Sequence, residues 1–200
     1  MTVRNQVFIM TKVPYLGVCK KRLSKDIGVV NSKKFIINNI EYCKKLFIHK
    51  KNYRLNYYLT TIKTYRTFSF TLNSNAILQN GNSLGAKIWH LNQLSKSPFI
   101  IFGSDIPNIK ISYIDKLFLI LKNVDVAIGP SYDGGFWSIG FSKKRNIPFP
   151  FKNIRWSSKS TLVDLVRNLN IHHISYNFGQ KLRDIDILKD YCDYKSRFRQ

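Results

Sequence analysis

Acidic residues are scarce in this chain. Eleven Asp and Glu stand against 33 Lys and Arg, leaving a net charge of +22 over 200 residues. Cysteine is scarce as well. Cys19, Cys43 and Cys192 are odd in number, far apart and never arranged as C-x-x-C, which speaks against a disulfide framework or a zinc site and for reduced thiols. Long apolar runs are missing. None approaches the roughly 18 residues needed to cross a bilayer, and Val7–Met10 is too short for the core of a signal peptide. A cytoplasmic protein without a transmembrane segment is the expectation. Also missing are G-x-x-x-x-G-K-[ST] and a G-x-G-x-x-G after the first apolar run, so neither standard phosphate loop is available. Ser157 and Ser158 lie in no G-x-S-x-G elbow, which argues against a serine hydrolase. His49, His90, His172 and His173 lack metal-ligand spacing, and structural roles are expected for them.

What is present reads as one folded domain over residues 1–200. The chain is 44% hydrophobic and 14% aromatic, enough to bury a core without disulfide staples. Charge is distributed unevenly. Residues 1–104 hold 17 Lys and Arg but only Asp26 and Glu41, and the other nine acids all lie from Asp105 onward. A basic front half attracts phosphates of any kind. Compositional drift toward Lys, Asn and Ile explains the excess equally well, so charge does not decide function.

Short apolar runs alternate with helical spacing. Strands are expected at Gln6–Thr11, Tyr53–Ile62, Pro98–Phe102, Val124–Ile128, Phe136–Phe141 and near Ile171–Tyr176. Helices are expected over 31–49, capped by Asn31 or Ser32, over Leu84–Leu94, after Asp105, and over Lys159–Leu169. Thr64–Leu78 reads as a variable connection. This alternation predicts an α/β fold, a three-layer α/β/α sandwich on a mostly parallel sheet. Ligands of such sheets sit beyond the carboxyl ends of the strands.

The chemistry-bearing residues fall in the loops after those strands. The loop from Lys12 to Arg22 carries Gly17, which lets backbone approach a phosphate, and Lys12, Lys20 and Arg22, which neutralise it. If the loop is extended, Lys20 and Arg22 share a face. A merely solvated basic loop fits as well. Asp105, just past a buried strand, suits a hard cation held against a diphosphate, or else caps the turn. Asp184 and Asp186 form a D-x-D that completes a metal site if extended, or Asp186 caps a terminal helix. Asp133-Gly134-Gly135 is a tight turn on which a substrate could lie.

Six segments, in order, resemble the motifs of one family. TKVPYLGVCKKRL resembles K-x-P-x-x-G-x-x-K-x-R-L, QNGNSLG resembles Q-x-G-x-x-L-G, and GSDIPNI resembles G-[ST]-D-x-P-x-L. GPSYDGGFWSIG, IRWSS and LRDIDILKDY are similar to G-P-x-x-D-G-G-[YF]-x-x-I-G, I-x-W-S-T and the closing D-[VI]-D-T-x-x-D-[LY]. The family is that of the small bacterial GT-A-type transferases, known as glycosyltransferase A or radical-SAM/selenodomain-associated transferase 1. Its members are distant relatives of the guanylyltransferases of cofactor biosynthesis.

The resemblance implies a nucleotide-diphospho-sugar transferase (GT-A) fold and transfer of a sugar from a nucleotide-diphospho-sugar to an unidentified acceptor, with Mg²⁺ or Mn²⁺ as cofactor. Nucleotidyl transfer from a nucleoside triphosphate is the alternative. Carried over by position, Lys12, Gly17, Lys20 and Arg22 line the nucleotide phosphates, and Gln79, Gly81 and Gly85 border the nucleotide pocket. Asp105 and Asp186 hold the metal, with Asp105, Lys20 and Arg22 catalytic. Asp133, Gly134, Gly135, Trp156 and Ser157 face the sugar or acceptor. The chain departs from the pattern at Leu16, Lys21, Ser83, Ser158 and Ile187-Leu188, of which the lost acid at Ser83 bears on sugar or base contacts. A third reading, a nucleic-acid-binding module, rests only on charge and on aromatics interleaved with Lys and Arg over Tyr53–Phe70. It has no helix-turn-helix, RNP or zinc-finger signature behind it, so a nucleic-acid partner is not expected. Oligomeric state is not legible.

Overall fold

Apolar residues on both faces of nearly every strand force a sheet that is covered on both sides. In a computed structural model, which describes residues 5–12, 20–60 and 76–196, they form a seven-stranded sheet of order β3-β2-β1-β4-β6-β5-β7. The strands are β1 (Asn5–Thr11), β2 (Tyr53–Leu59), β3 (Ala76–Leu78), β4 (Phe99–Gly103), β5 (Val126–Pro130), β6 (Phe136–Phe141) and β7 (Tyr176–Phe178). All pairings are parallel except those of β6, which runs antiparallel to β4 and β5.

Alternation along the strands sorts the core into two layers. Val7, Ile9, Tyr57, Leu59, Ile100, Phe102 and Ala127 face one side, where α1 (Lys21–Ile27), α2 (Val29–Phe47) and α4 (Ile111–Leu121) pack. Phe8, Tyr58, Phe99, Ile101, Val126, Ile128 and Ile139 face the other, against α3 (Leu84–Leu94) and α5 (Thr161–Ile171). A last helix, α6 (Leu188–Ser196), brings Tyr191 and Tyr194 onto Phe35 of α2. The α/β sandwich expected from the sequence is therefore the fold. The β2 aromatics on which the nucleic-acid reading drew lie inside: Tyr57 and Tyr58 are buried in the two cores and offer no face on which a base could stack. Residues 61–70 of that stretch lie outside the described residues.

Several boundaries differ for local reasons. Helix α2 starts at Val29, after Gly28 at φ +81°, and Asn31 donates to the Ile27 carbonyl at 2.9 Å instead of capping it. Gly28 turns the chain between α1 and α2, a left-handed conformation that suits glycine. Strand β5 begins two residues later than expected because the Asn123 and Val124 N–H groups still donate to the Ile120 carbonyl in the turn leaving α4. Helix α3 has the expected bounds, and Ser83 caps it by accepting from the Ala86 N–H at 3.1 Å. Where the family pattern carries an acid, this serine serves the helix. Among the described residues no helix is long and apolar enough to cross a membrane.

Candidate functional site

The carboxyl ends of β1 and β4 are tied together before any ligand is considered. Ser104 Oγ donates to Thr11 Oγ1 at 2.9 Å, Ser104 N–H donates to the Met10 carbonyl, and Asn39 Nδ2 reaches the Ser104 carbonyl. The turn then aims Asp105 back over Gly103. A Cβ on Gly103 would lie 2.5 Å from Asp105 Oδ1, so the carboxylate has this position only because residue 103 has no side chain.

The segment after β7 closes the site. Gly179 N–H donates to the Ile128 carbonyl, Trp137 Nε1 donates to the Gln180 carbonyl, and Leu182 bridges to Ser131 in parallel register. Farther on, Ile185 N–H donates to the Asp105 carbonyl at 3.3 Å, and the Ile185 side chain enters the core. With Ile185 facing inward, Asp184 and Asp186 flank it on the other side of an extended chain, as the D-x-D reading requires. Helix α6 begins only at Leu188, and the Asp186 and Ile187 N–H groups donate to Asp190, so Asp186 does not cap that helix.

The result is a cluster of three carboxylates, Asp105, Asp184 and Asp186, with oxygens within 4.8 Å of one another. Lys20 enters it. Its Nζ lies 2.6 Å from Asp105 Oδ2 and pairs with Asp186 Oδ1, with 12% of the side chain exposed. Burial pulls the lysine pKa down, but the two carboxylates outweigh it and hold the ammonium above its ordinary value. Asp184 goes the other way: burial, then the charges of Asp105, Asp133 and Asp186, push it up to about 6 against the opposing pull of Lys20. The sequence placed Lys20 beside Arg22 on an extended loop facing phosphates. Instead Lys20 caps α1 in a left-handed conformation (φ 48°, ψ 58°) and turns to the acids, while Arg22 sits in the first turn of the helix.

These groups line a cleft of about 910 Å³ at the carboxyl ends of the strands. Lys12, Lys20, Arg22, Gln79, Asp105, Asp133, Gly135, Trp156, Ser157 and Asp186 all border it. Gly81, Gly85 and Gly134 do not line it; each instead lets two segments pack closely. A Cβ on Gly85 would collide with the side chains of Phe151 and Trp156, and one on Gly134, at φ +89°, would collide with the Lys159 backbone. Gly17 lies outside the described residues. Three charged residues of the cleft, Lys87, Lys159 and Asp190, had no role assigned from the sequence, and Asp184 had one only as half of a D-x-D. Each stands at the start of a helix, Lys87 in α3, Lys159 two residues before α5 and Asp190 in the first turn of α6, a position that residue type alone does not reveal.

Two walls of the cleft are prepared in different ways. On one, Gln79 Nε2 donates to the Tyr58 carbonyl at 2.7 Å, which fixes the amide and leaves its buried Oε1 with no partner among the described residues. A buried acceptor without a donor is costly, and a ligand N–H or O–H would satisfy it. On the other, Asp164 of α5 accepts from Arg155 N–H, Nε and Nη2 at 3.0, 2.9 and 2.8 Å. Those bonds, with Thr161 Oγ1 donating to the Arg155 carbonyl, fold the loop that presents Trp156 and Ser157. Asp133 accepts from Ser131 Oγ and, at 2.9 Å, from Gly135 N–H, which closes the glycine turn under its own carboxylate.

Solved structures share this architecture. A protein provisionally named a nucleotide-diphospho-sugar transferase, from Desulfovibrio desulfuricans G20, matches with a TM-score of 0.87 at 22% identity, over 98% of this chain and 90% of that one. CMP:2-keto-3-deoxy-manno-octonic acid synthetase, complexed with CTP, matches with a TM-score of 0.63 at 8% identity, over 99% of both chains. The 4-diphosphocytidyl-2C-methyl-D-erythritol synthase of Anaerococcus prevotii DSM 20548 gives 0.60 at 7% identity, over 98% of this chain and 97% of its own. At these identities the likeness establishes the fold, that of the nucleotide-diphospho-sugar transferases. No curated protein sequence matches the chain significantly. Residues 54–158, more than half of the chain, match the model of a family described as uncharacterized protein conserved in bacteria (DUF2064), and the chain belongs to that family.

Proposed function

We propose that this protein is a metal-dependent transferase that uses a nucleotide-activated donor, moving a sugar from a nucleotide-diphospho-sugar to a small acceptor. The observation that carries the reading is the meeting of Asp105 with Asp184 and Asp186, about 80 residues later in the chain, around one cation in a cleft also lined by Lys12 and Arg22. The cleft is large enough for a nucleotide-sugar, since ligand pockets typically measure about 300–1,000 Å³.

The donor set fits the metal. Carboxylate oxygens suit hard cations such as Mg²⁺ and Mn²⁺, and the Lys20 ammonium already sits among them as a stand-in positive charge. Asp105 and Asp186 would hold the ion, with Asp184 beside them. Its chemistry would be to neutralise charge on the diphosphate as the leaving group departs. Arg22 and Lys12 add fixed positive charge toward the same group. Gln79 Oε1 accepts a donor from the nucleotide, and Asp133, Gly135, Trp156 and Ser157 bound the space for sugar and acceptor. A cytoplasmic location fits this donor.

Titration calorimetry with Mn²⁺ and nucleoside diphosphates tests the reading. Asp105→Ala is expected to abolish metal-dependent nucleotide binding, and unchanged affinity would refute it. Nucleotidyl transfer is the second reading, favoured by the similarity in fold to a synthetase complexed with CTP. Pyrophosphate release from a nucleoside triphosphate and a phosphorylated acceptor would select it; release of nucleoside diphosphate from a nucleotide-sugar would select the first.

A further inference from the structure

The cation in the acidic cluster belongs to the protein itself. Lys20 reaches Asp105 across 85 positions of chain and Asp186 across 166. To do so it takes a left-handed backbone conformation that a lysine rarely adopts, at the point where α1 begins. Its side chain is nearly covered, and both of its described carboxylate partners are ones assigned above to the metal. A lysine whose only task was to bind phosphate would gain nothing from burial between two acids. Without it, three carboxylates would face one another without the cation that now lies between them.

An ammonium hydrogen-bonded to Asp105 and Asp186 cannot stay there while a divalent ion takes the same oxygens, because ligands lie only about 2.0–2.1 Å from Mg²⁺. We propose that Lys20 is the resident counter-ion of this cluster, that it and the divalent cation occupy the carboxylates alternately, and that the cation's arrival releases Lys20 to the nucleotide's phosphates. The inference rests on reading the cluster as a metal site. It makes metal and nucleotide binding mutually supporting: the metal frees a phosphate ligand, and phosphate gives the freed ammonium a new partner. Linkage requires the two effects to be equal in size. It also gives the site a formed, charge-compensated state before either ligand arrives.

Mn²⁺ binding to the full chain without nucleotide, read by calorimetry and by the electron paramagnetic resonance signal of free Mn²⁺, tests the exchange. Lys20→Met and Lys20→Gln are expected to bind Mn²⁺ at least about tenfold more tightly than wild type, with Lys20→Arg close to wild type. In the unaltered protein, acetic anhydride labelling of Lys20, followed by mass spectrometry, is expected to rise when Mn²⁺ is added. That measurement does not depend on any variant folding. Equal Mn²⁺ affinity in wild type and Lys20→Met, with labelling indifferent to the metal, overturns the exchange and leaves the metal site standing. Absence of Mn²⁺ binding in every form removes the metal site and the exchange with it.

Discussion

Two carboxylate sites lie at the same end of the sheet, and they are built on opposite principles. Asp164 is 1% exposed and receives three hydrogen bonds from Arg155 alone, with Arg167 nearby at 3.8 Å. Its pKa is held far below the usual carboxylate range, first by the Arg155 side chain and then by the Arg155 N–H. Asp105, Asp184 and Asp186 instead share one ammonium, and Asp184 is pushed upward. The first site is matched in charge and geometry, so it has no use for a ligand. In the second, three carboxylates gather around an ammonium that pairs with two of them, a local concentration of acid in a chain of net charge +22. A local surplus of acid in a basic chain, with one carboxyl shifted upward, is the pattern on which the proposed metal site rests.

Breaking the matched site should have the larger effect on folding. Asp164→Ala leaves the Arg155 fork and its N–H without an acceptor and unties the loop that carries Trp156 and Ser157. Thermal unfolding is expected to show a greater loss of melting temperature for this variant than for neutralisation of any acid in the cluster. A smaller loss than that of Asp105→Asn would contradict the division into structural and functional carboxylates.

The next test acts on the unmatched site while sparing the core. Gly103→Ala puts a Cβ where Asp105 Oδ1 now lies, and the flexible carboxylate is what must yield. Mn²⁺ affinity is expected to fall by about tenfold or more, as when groups that orient metal ligands are altered. The melting temperature should change little. A large loss of stability with intact Mn²⁺ binding would mean that this glycine serves packing.

How much of this was legible in the sequence follows from the range of the interactions. Helix α3 and strand β6 have the bounds the sequence predicts because their signals are local: Ser83 before an amphipathic run, and Asp133-Gly134-Gly135 before alternating apolar residues. The direction of β6 was not legible, since an apolar run reads the same in either orientation. Strand β3 has only three residues on an edge, too few to show a period. Helix α1 hides in a basic stretch where, among the described side chains, only Leu23 is fully buried. Asp105 stood out because its turn follows a buried strand. The partnership of Lys20 did not, because it depends on chain segments more than 80 residues away, and a basic loop reads first as a phosphate loop.

The smallest effect is a slope with pH. In the folded protein burial, reinforced by the neighbouring carboxylates, pushes Asp184 up to about 6, above the roughly 3.9 of a free aspartate. Between about pH 4 and pH 6 the folded chain therefore keeps a proton that the unfolded chain has already released, and stability falls as pH rises across that window. Asp125 and Asp164 have lowered values, so their contribution is lost in the opposite sense, as pH drops below the ordinary carboxylate range. The two kinds of site thus act in separate windows. Asp184→Asn should flatten the decline between pH 4 and 6 and leave the acid limb unchanged. Added Mn²⁺ should do the same in wild type, because a bound cation favours the charged carboxylate. Melting temperatures of both proteins at half-unit steps of pH, with and without Mn²⁺, provide the comparison. A decline that survives both treatments would assign the slope to groups other than Asp184.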